Sequence, residues 1–336
     1  MGRAIGVIGA GGWGTALAKH LCDKGGVEVS LWCHGEKTHL QIRDERENSN
    51  YLAGIRLPAG LRVTRSLKEA FSGKELLILA VPSHWVREVL RGTQRYLAPE
   101  ATLVCASKGI EEGSLKTMNE VLTDLYGEAH RERFAFLSGP SFALEVAQGL
   151  PAAITLAAIK PEVVEVAQGV LSTQSFRVYT SNDIIGVQMG GVVKNIIAIA
   201  AGISDGLKLG SNARAALMTR GLAEMTRLAT SMGADPLTLS GLPGLGDLIL
   251  TCTGDLSRNR KVGLKIAKGR KIEEILSSMR MVAEGVRNTR SVRLLARRCG
   301  VEMPIVEQMC LVLYEGKDPM AAVRDLMQRS LKAELP

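Results

Sequence analysis

Near its start the chain reads Arg3-Ala4-Ile5-Gly6-Val7-Ile8-Gly9-Ala10-Gly11-Gly12-Trp13-Gly14-Thr15-Ala16-Leu17-Ala18, and this stretch decides the fold. A short β-branched run, Ala4–Ile8, leads into glycines at 9, 11 and 14, and a helical pattern follows over Trp13–Lys24. The spacing G-x-G-x-x-G between a strand and a helix is the fingerprint of a dinucleotide-binding turn. Gly9 permits a sharp turn, Gly11 lets the backbone approach a pyrophosphate, and Gly14 lets the helix pack close to the strand. The helix N-terminus then offers unpaired N–H groups and a positive dipole end to an anion. A glycine-rich turn that binds nothing would share the spacing, but the strand before it and the helix after it favour the dinucleotide. The same context argues against a secretory leader, because glycines interrupt the apolar run.

Outward from this turn, strand-like and helix-like patterns alternate. Strands are expected at Val27–Trp32, Leu61–Thr64, Leu76–Val81, Thr102–Ala106, Ala135–Leu137, Ala152–Ala158 and Phe176–Tyr179, with a helix over Val86–Tyr96. Apolar strands separated by helices imply a mostly parallel sheet covered on both faces. After about Asn182 the strands stop, and helical patterns run from Gly186 to Met327. The expected architecture is an α/β Rossmann-type domain over residues 1–182 followed by an all-α substrate and catalytic domain over 183–336.

The 336 residues suit two domains, with 46% hydrophobic and 23% charged residues, as in a globular protein. The net charge of +8 admits nucleic acid, acidic lipid or a polyanionic metabolite as partner. The basic residues are spread out, and the densest run, Arg287–Arg298, spaces its arginines along a helix face; a nucleic-acid partner is not expected. Six cysteines without C-x-x-C spacing point to a reducing cytoplasm, and five scattered histidines without a ligand pattern point away from a metal. No run of about 18 uninterrupted apolar residues suggests an integral membrane segment.

In open α/β sheets ligands bind beyond the carboxyl ends of the strands. Three such ends carry chemistry: Pro82-Ser83-His84, Ser107-Lys108-Gly109 and Ser138-Gly139-Pro140-Ser141. Lys108 follows its strand so closely that it belongs at the crevice rim, although an exposed loop lysine fits as well. Lys194 lies in the most apolar helix of the chain, where a charge is costly unless paired or neutral. It either snorkels as a structural residue or pairs with Asp247, the one acid in another apolar helix. Asp247 and Thr251, four apart, share a helix face. Ser257, Arg258 and Asn259 follow, a turn that suits a phosphate group, or equally a capped helix end with a solvated arginine. After the second strand, an NAD-selective acid is replaced by Cys33-His34; His34 and Lys37 suit a 2′-phosphate, while Glu36 remains able to rotate in.

In order along the chain, GAGGWGTALA, LAVPS, SKGIE, LSGPSFA, KNIIAIAAGISDGL and GLGDLILTCTGDLSRNR closely resemble the NAD(P)-dependent glycerol-3-phosphate dehydrogenases of the bacterial biosynthetic branch. The resemblance spans roughly Ile5 to Met327. It implies reduction of dihydroxyacetone phosphate to sn-glycerol 3-phosphate for phospholipid synthesis, with NADPH or NADH, in a cytoplasmic homodimer. By the family pattern Lys194 is the proton donor or acceptor, supported by Asp247 and Thr251, and Lys108 is a second lysine near cofactor and substrate. Ser257, Arg258 and Asn259 match the substrate phosphate site, with Arg258 also near the cofactor. Gly139 and Ser141 match substrate contacts. Gly9, Gly11, Gly12, Trp13, Gly14, His34, Ala143, Val282 and Glu284 match cofactor positions.

Two rivals remain on the residues alone. Dehydrogenases of β-hydroxyacids or sugar phosphates share the loop and a helical lysine, but the LSRNR turn argues against them. A redox-sensing regulator would need an interaction module such as a helix-turn-helix, which the sequence does not display.

Overall fold

The computed structural model describes residues 2–279, 283–331, 333 and 334. Its strands are β1 (Arg3–Ile8), β2 (Val27–Trp32), β3 (Glu47–Asn48), β4 (Leu52–Arg56), β5 (Arg62–Thr64), β6 (Leu76–Leu79), β7 (Thr102–Cys105), β8 (Phe134–Ser138), β9 (Ala152–Ala158) and β10 (Phe176–Ser181). Eight of them form one sheet in the order β10-β9-β8-β7-β6-β1-β2-β5. Every neighbouring pair is parallel except β8 with β9. The link from Ser138 to Ala152 holds only the helix Ala143–Ala147, a single turn of about 8 Å. Across this link β9 returns antiparallel to β8. The helix Pro161–Leu171 then supplies the crossover that makes β9 and β10 parallel.

Both faces of the sheet are covered. Ile5, Val7, Leu31 and Ile78 point into one apolar layer; Ile8, Leu79, Leu103 and Phe136 point into the other. This is why the strands read as continuous apolar runs rather than alternating ones. Two local expectations change. The Val86–Tyr96 pattern breaks at Gly92, where φ is +78°, into the helix Val86–Leu90 and a turn at Gln94–Tyr96. The antiparallel hairpin of β3 and β4 carries no strong apolar alternation and was not expected.

The second half is built round the helix Ile184–Gly206, which Asp183 caps by accepting a 2.8 Å bond from Gly186 N–H. Its length and apolarity would let it cross a membrane, but here its side chains form the centre of the helical core. The helix Arg258–Ala267 crosses it at close range. A methyl on Gly202 would collide with the Arg260 carbonyl, and one on Gly263 with the Ile199 carbonyl. The helices Gly210–Ser231, Asp247–Thr253, Glu284–Arg298, Pro304–Tyr314 and Pro319–Met327 complete the shell.

Candidate active site

The buried helix Ile184–Gly206 places Lys194 against the short helix Asp247–Thr253. Lys194 Nζ donates to Asp247 Oδ1 at 2.6 Å and to Thr251 Oγ1 at 2.8 Å. The i, i+4 spacing also lets Thr251 Oγ1 donate to the Asp247 backbone carbonyl at 2.6 Å, which fixes its lone pairs towards the lysine. Asp247 is entered from a five-residue π-helical turn, Leu242–Gly246, an irregularity common at functional sites. The other carboxylate oxygen, Oδ2, accepts from Lys108 Nζ at 2.7 Å. Lys108 arrives from beyond β7, and its Nζ also lies 3.3 Å from the Gly139 carbonyl. Gly191 makes room for it, since a methyl there would stand 3.2 Å from Lys108 Cδ and 2.7 Å from Ser138 Oγ.

One aspartate therefore bridges two lysines from different halves of the chain. Asp247 is 1% exposed and Lys194 7%. Burial pulls the Lys194 ammonium down, the Asp247 carboxylate pulls it back up, and the Lys108 charge lowers it again; the outcome is about 8. Burial alone would raise the Asp247 carboxyl, but the Lys108 and Lys194 ammoniums outweigh it and hold it below its usual value. An ammonium of that acidity, at the cleft and held by two oriented acceptors, is equipped to give up a proton near neutral pH.

The expected phosphate turn adjoins this group. Ser257 caps the helix Arg258–Ala267, its Oγ accepting from Arg260 N–H at 3.2 Å. The Asn259 side chain donates to Asn195 Oδ1 at 2.9 Å and accepts from Gly285 N–H at 3.1 Å. Arg258 lies close enough to Glu284 for their charges to act on one another. Glu284 in turn spans the two halves: its carboxylate accepts from Ser83 N–H at 3.1 Å and Ser83 Oγ at 2.9 Å. Ile110 N–H makes a second such link, to Asn288 Oδ1 at 3.3 Å.

Gly139 turns the chain after β8 with φ +147°, and Ser141 Oγ donates back to its carbonyl at 3.1 Å. Ser138 Oγ is buried beside Lys108 and Gly191 with no protein partner among the described residues, a free hydrogen-bonding group at the site.

The glycine loop sits at the end of β1. Gly9 has φ +116°, and a methyl on Gly14 would collide with the Gly9 carbonyl, so helix and loop meet without side chains between them. The helix Gly12–Lys24 has no side-chain cap, and a methyl built on Gly11 would find nothing within 4 Å. Open space over uncapped N–H groups fits a pyrophosphate. Gly12 faces Tyr51 and Ala143, while Trp13 packs on the apolar layer beneath. His34 is exposed beyond β2, its ring 5.8 Å from that of Trp32. Val282 lies outside the described residues.

Two further side chains of the site have no role assigned from sequence. Asn195 stands beside Lys194, and a second polar residue in so apolar a helix is the signal that could find it. Ser83 ends a strand, but its partner Glu284 lies 201 residues away.

The family model described as the NAD-dependent glycerol-3-phosphate dehydrogenase N-terminus matches residues 4–164, and the model for the C-terminus matches residues 183–324. A glycerol-3-phosphate dehydrogenase (NAD(P)+) of Geobacter sp. (strain M21) is 53% identical over 334 residues, covering 99% of each chain. The protein of that name from Myxococcus xanthus (strain DK1622) is 51% identical over 332 residues, 98% of each chain. The crystal structure of glycerol-3-phosphate dehydrogenase from Coxiella burnetii superposes with a TM-score of 0.93 at 41% identity, covering 98% of this chain and 99% of that one.

Proposed function

The chain belongs to the NAD-dependent glycerol-3-phosphate dehydrogenase family, and from that premise we propose how its own residues carry the reaction. It is an oxidoreductase that interconverts dihydroxyacetone phosphate and sn-glycerol 3-phosphate with NAD(P). When bound, the reduced nicotinamide supplies a hydride to C2 of the ketone.

Lys194 stabilises the negative charge that grows on the carbonyl oxygen and delivers the proton to it; in the reverse direction its amine accepts that proton. Asp247 and Thr251 aim Nζ. Asp247 keeps the lysine protonated, while Lys108 keeps it acidic enough to donate. Lys108 also adds positive charge near the ketone. Ser257, Arg258 and Asn259 anchor the phosphate, which fixes the carbonyl in line with the ammonium. Gly139 and Ser141 line the substrate side. Gly9, Gly11, Gly12, Trp13, Gly14, His34, Ala143 and Glu284 border the dinucleotide, with Lys108 and Arg258 at its inner end. Residues 1–182 are assigned to the dinucleotide and 183–336 to the substrate. The same reading places the enzyme in the cytoplasm as a homodimer, its product used for phospholipid synthesis.

The observation that carries this mechanism is the buried Lys194–Asp247 pair, held 2.6 Å apart with Thr251 at the same nitrogen. The test follows oxidation of NADPH and NADH with dihydroxyacetone phosphate in wild type and Lys194→Ala. Turnover in the wild type that collapses in the variant supports the assignment; unchanged turnover removes Lys194 from it.

A further inference from the structure

The adenosine end of the cleft holds a cluster that the two strands β2 and β5 assemble. Gly9 N–H donates to the Trp32 carbonyl at 3.2 Å, which ties the end of β2 to the glycine loop. β5 lies parallel on the outer side of β2, with Thr64 level with Trp32, and Cys33 N–H donates to the Thr64 carbonyl at 2.9 Å. Arg65 therefore leaves the sheet alongside Cys33 and His34. The Trp32 indole N–H donates to the Arg65 carbonyl at 3.1 Å and holds that backbone in place. From there the guanidinium reaches Glu36, with Arg65 Nη1 3.6 Å from Glu36 Oε1.

Dinucleotide sites of this kind use an acid near the end of the second strand to accept from the ribose 2′-hydroxyl, or an arginine to hold a 2′-phosphate. This chain puts one of each in contact at that position. The pair is loose, with side chains 50% and 69% exposed, and exposed ion pairs hold weakly. A phosphate dianion is a stronger partner for a guanidinium than this single 3.6 Å contact, because it carries more charge and can take paired charge-assisted bonds.

We propose that Arg65 and Glu36 form a two-way selector for the cofactor. Arg65 leaves Glu36 to bind the 2′-phosphate of NADP(H), and Glu36 accepts from the 2′-hydroxyl of NAD(H) while Arg65 stays beside it. His34 and Lys37, both exposed on the same turn, add positive charge to the phosphate side. The inference rests on the dinucleotide reading of the Gly9–Gly14 loop and deepens it.

Binding measured by calorimetry, without turnover, tests it. The probes are NADP+, NAD+, adenosine 2′,5′-bisphosphate and 5′-AMP, on wild type, Arg65→Ala, Arg65→Lys and Glu36→Gln. In Arg65→Ala the Kd for NADP+ and the bisphosphate rises about tenfold or more, the size of one charge-assisted contact, while NAD+ and 5′-AMP stay within about twofold. Arg65→Lys recovers part of the loss. Glu36→Gln weakens NAD+ severalfold and leaves NADP+ equal or tighter. Equal shifts for both cofactors, or an unmoved NADP+ affinity in Arg65→Ala, overturn the selector. Failure of wild type to bind any of the four overturns the dinucleotide reading instead. Both side chains are exposed, and unchanged thermal unfolding of the variants confirms that folding is not the cause.

Discussion

The Asp247 carboxylate stands 2.6 Å from the Lys194 ammonium with almost no access of water to either. In that setting neither charge is cheap to hold alone, and each sets the protonation of the other. The Lys194 value of about 8 follows from this balance. Below pH 8 the nitrogen is an ammonium that donates; above it, an amine that accepts. Ketone reduction, read as kcat/KM, is expected to fall as pH rises through about 8, and glycerol phosphate oxidation to rise over the same interval. Lys194→Ala should lower kcat by about 10²-fold or more and flatten this limb in both directions. Profiles of the two directions, run side by side, check the sign.

Arg258→Ala tests the phosphate turn. Hydrogen bonds to charged groups contribute about 1.5–3 kcal/mol, so loss of this side chain should raise KM for dihydroxyacetone phosphate by about 10- to 100-fold. Part of that energy positions the carbonyl, so a smaller fall in kcat accompanies it. With a truncated ketone lacking the phosphate, and the dinucleotide saturating, the rise in KM should largely vanish. An unchanged KM for the phosphorylated substrate would remove Arg258 from the anchor.

Gly191→Ala tests the seat of Lys108. The added methyl would stand 2.7 Å from Ser138 Oγ and 3.2 Å from Lys108 Cδ, so the lysine stem must lift from the helix. Activity should fall by about tenfold or more through misplacement alone. Stability should change little, because the preference of about 1 kcal/mol for alanine over glycine in a helix interior offsets the cost of the two close contacts. Steady-state kinetics beside a melting curve separates the two effects, and full activity in the variant would contradict the placement.

Glu224 makes a prediction away from the chemistry. Its buried carboxylate accepts from Ile305 N–H at 2.7 Å and Val306 N–H at 3.3 Å, capping the helix Pro304–Tyr314 from a neighbouring helix. Burial raises it from 4.5 to about 7, against the pull of those two bonds and of Arg227 and Arg329. Between those values the folded protein holds a proton that the unfolded chain has released. Stability from this group is thus full below about pH 4.5 and lost as pH rises to 7, by about 3 kcal/mol at 1.36 kcal/mol per unit. Glu224→Gln keeps a carbonyl acceptor and removes the titration. The variant should melt higher than wild type at pH 8 and show no gain at pH 4; a gain of equal size at both would rule out titration as the cause.

How far the sequence could be read depended on whether the signal was local. The runs Val27–Trp32 and Ala152–Ala158 match β2 and β9 residue for residue, because strands buried on both faces are mostly apolar and β-branched over their inner ends. The direction of β9 was not legible, since an apolar run reads the same whichever way its strand is paired. Nor was the hairpin of β3 and β4, whose pairing rests on turn geometry. In the site, the meeting of Lys194 with Asp247 was foreseeable because one is the single cation of its apolar helix and the other the single acid of a second. That Lys108 would take the opposite oxygen of the same carboxylate was not, because Lys108 and Asp247 are 139 residues apart and meet only when the domains pack. Arg65 stayed hidden for the same reason: only the pairing of β5 with β2 brings it to His34 and Glu36.

The bridging position of Asp247 has a mechanical consequence. Lys108 rides on the sheet, whereas Lys194 and Asp247 ride on the helical half. Any hinge motion that parts the halves draws one positive charge away from the buried pair, and the Lys194 proton is then held more tightly. The strength of the acid is therefore set by how closely the sheet half seats its lysine on the helical half, and not by the helices alone.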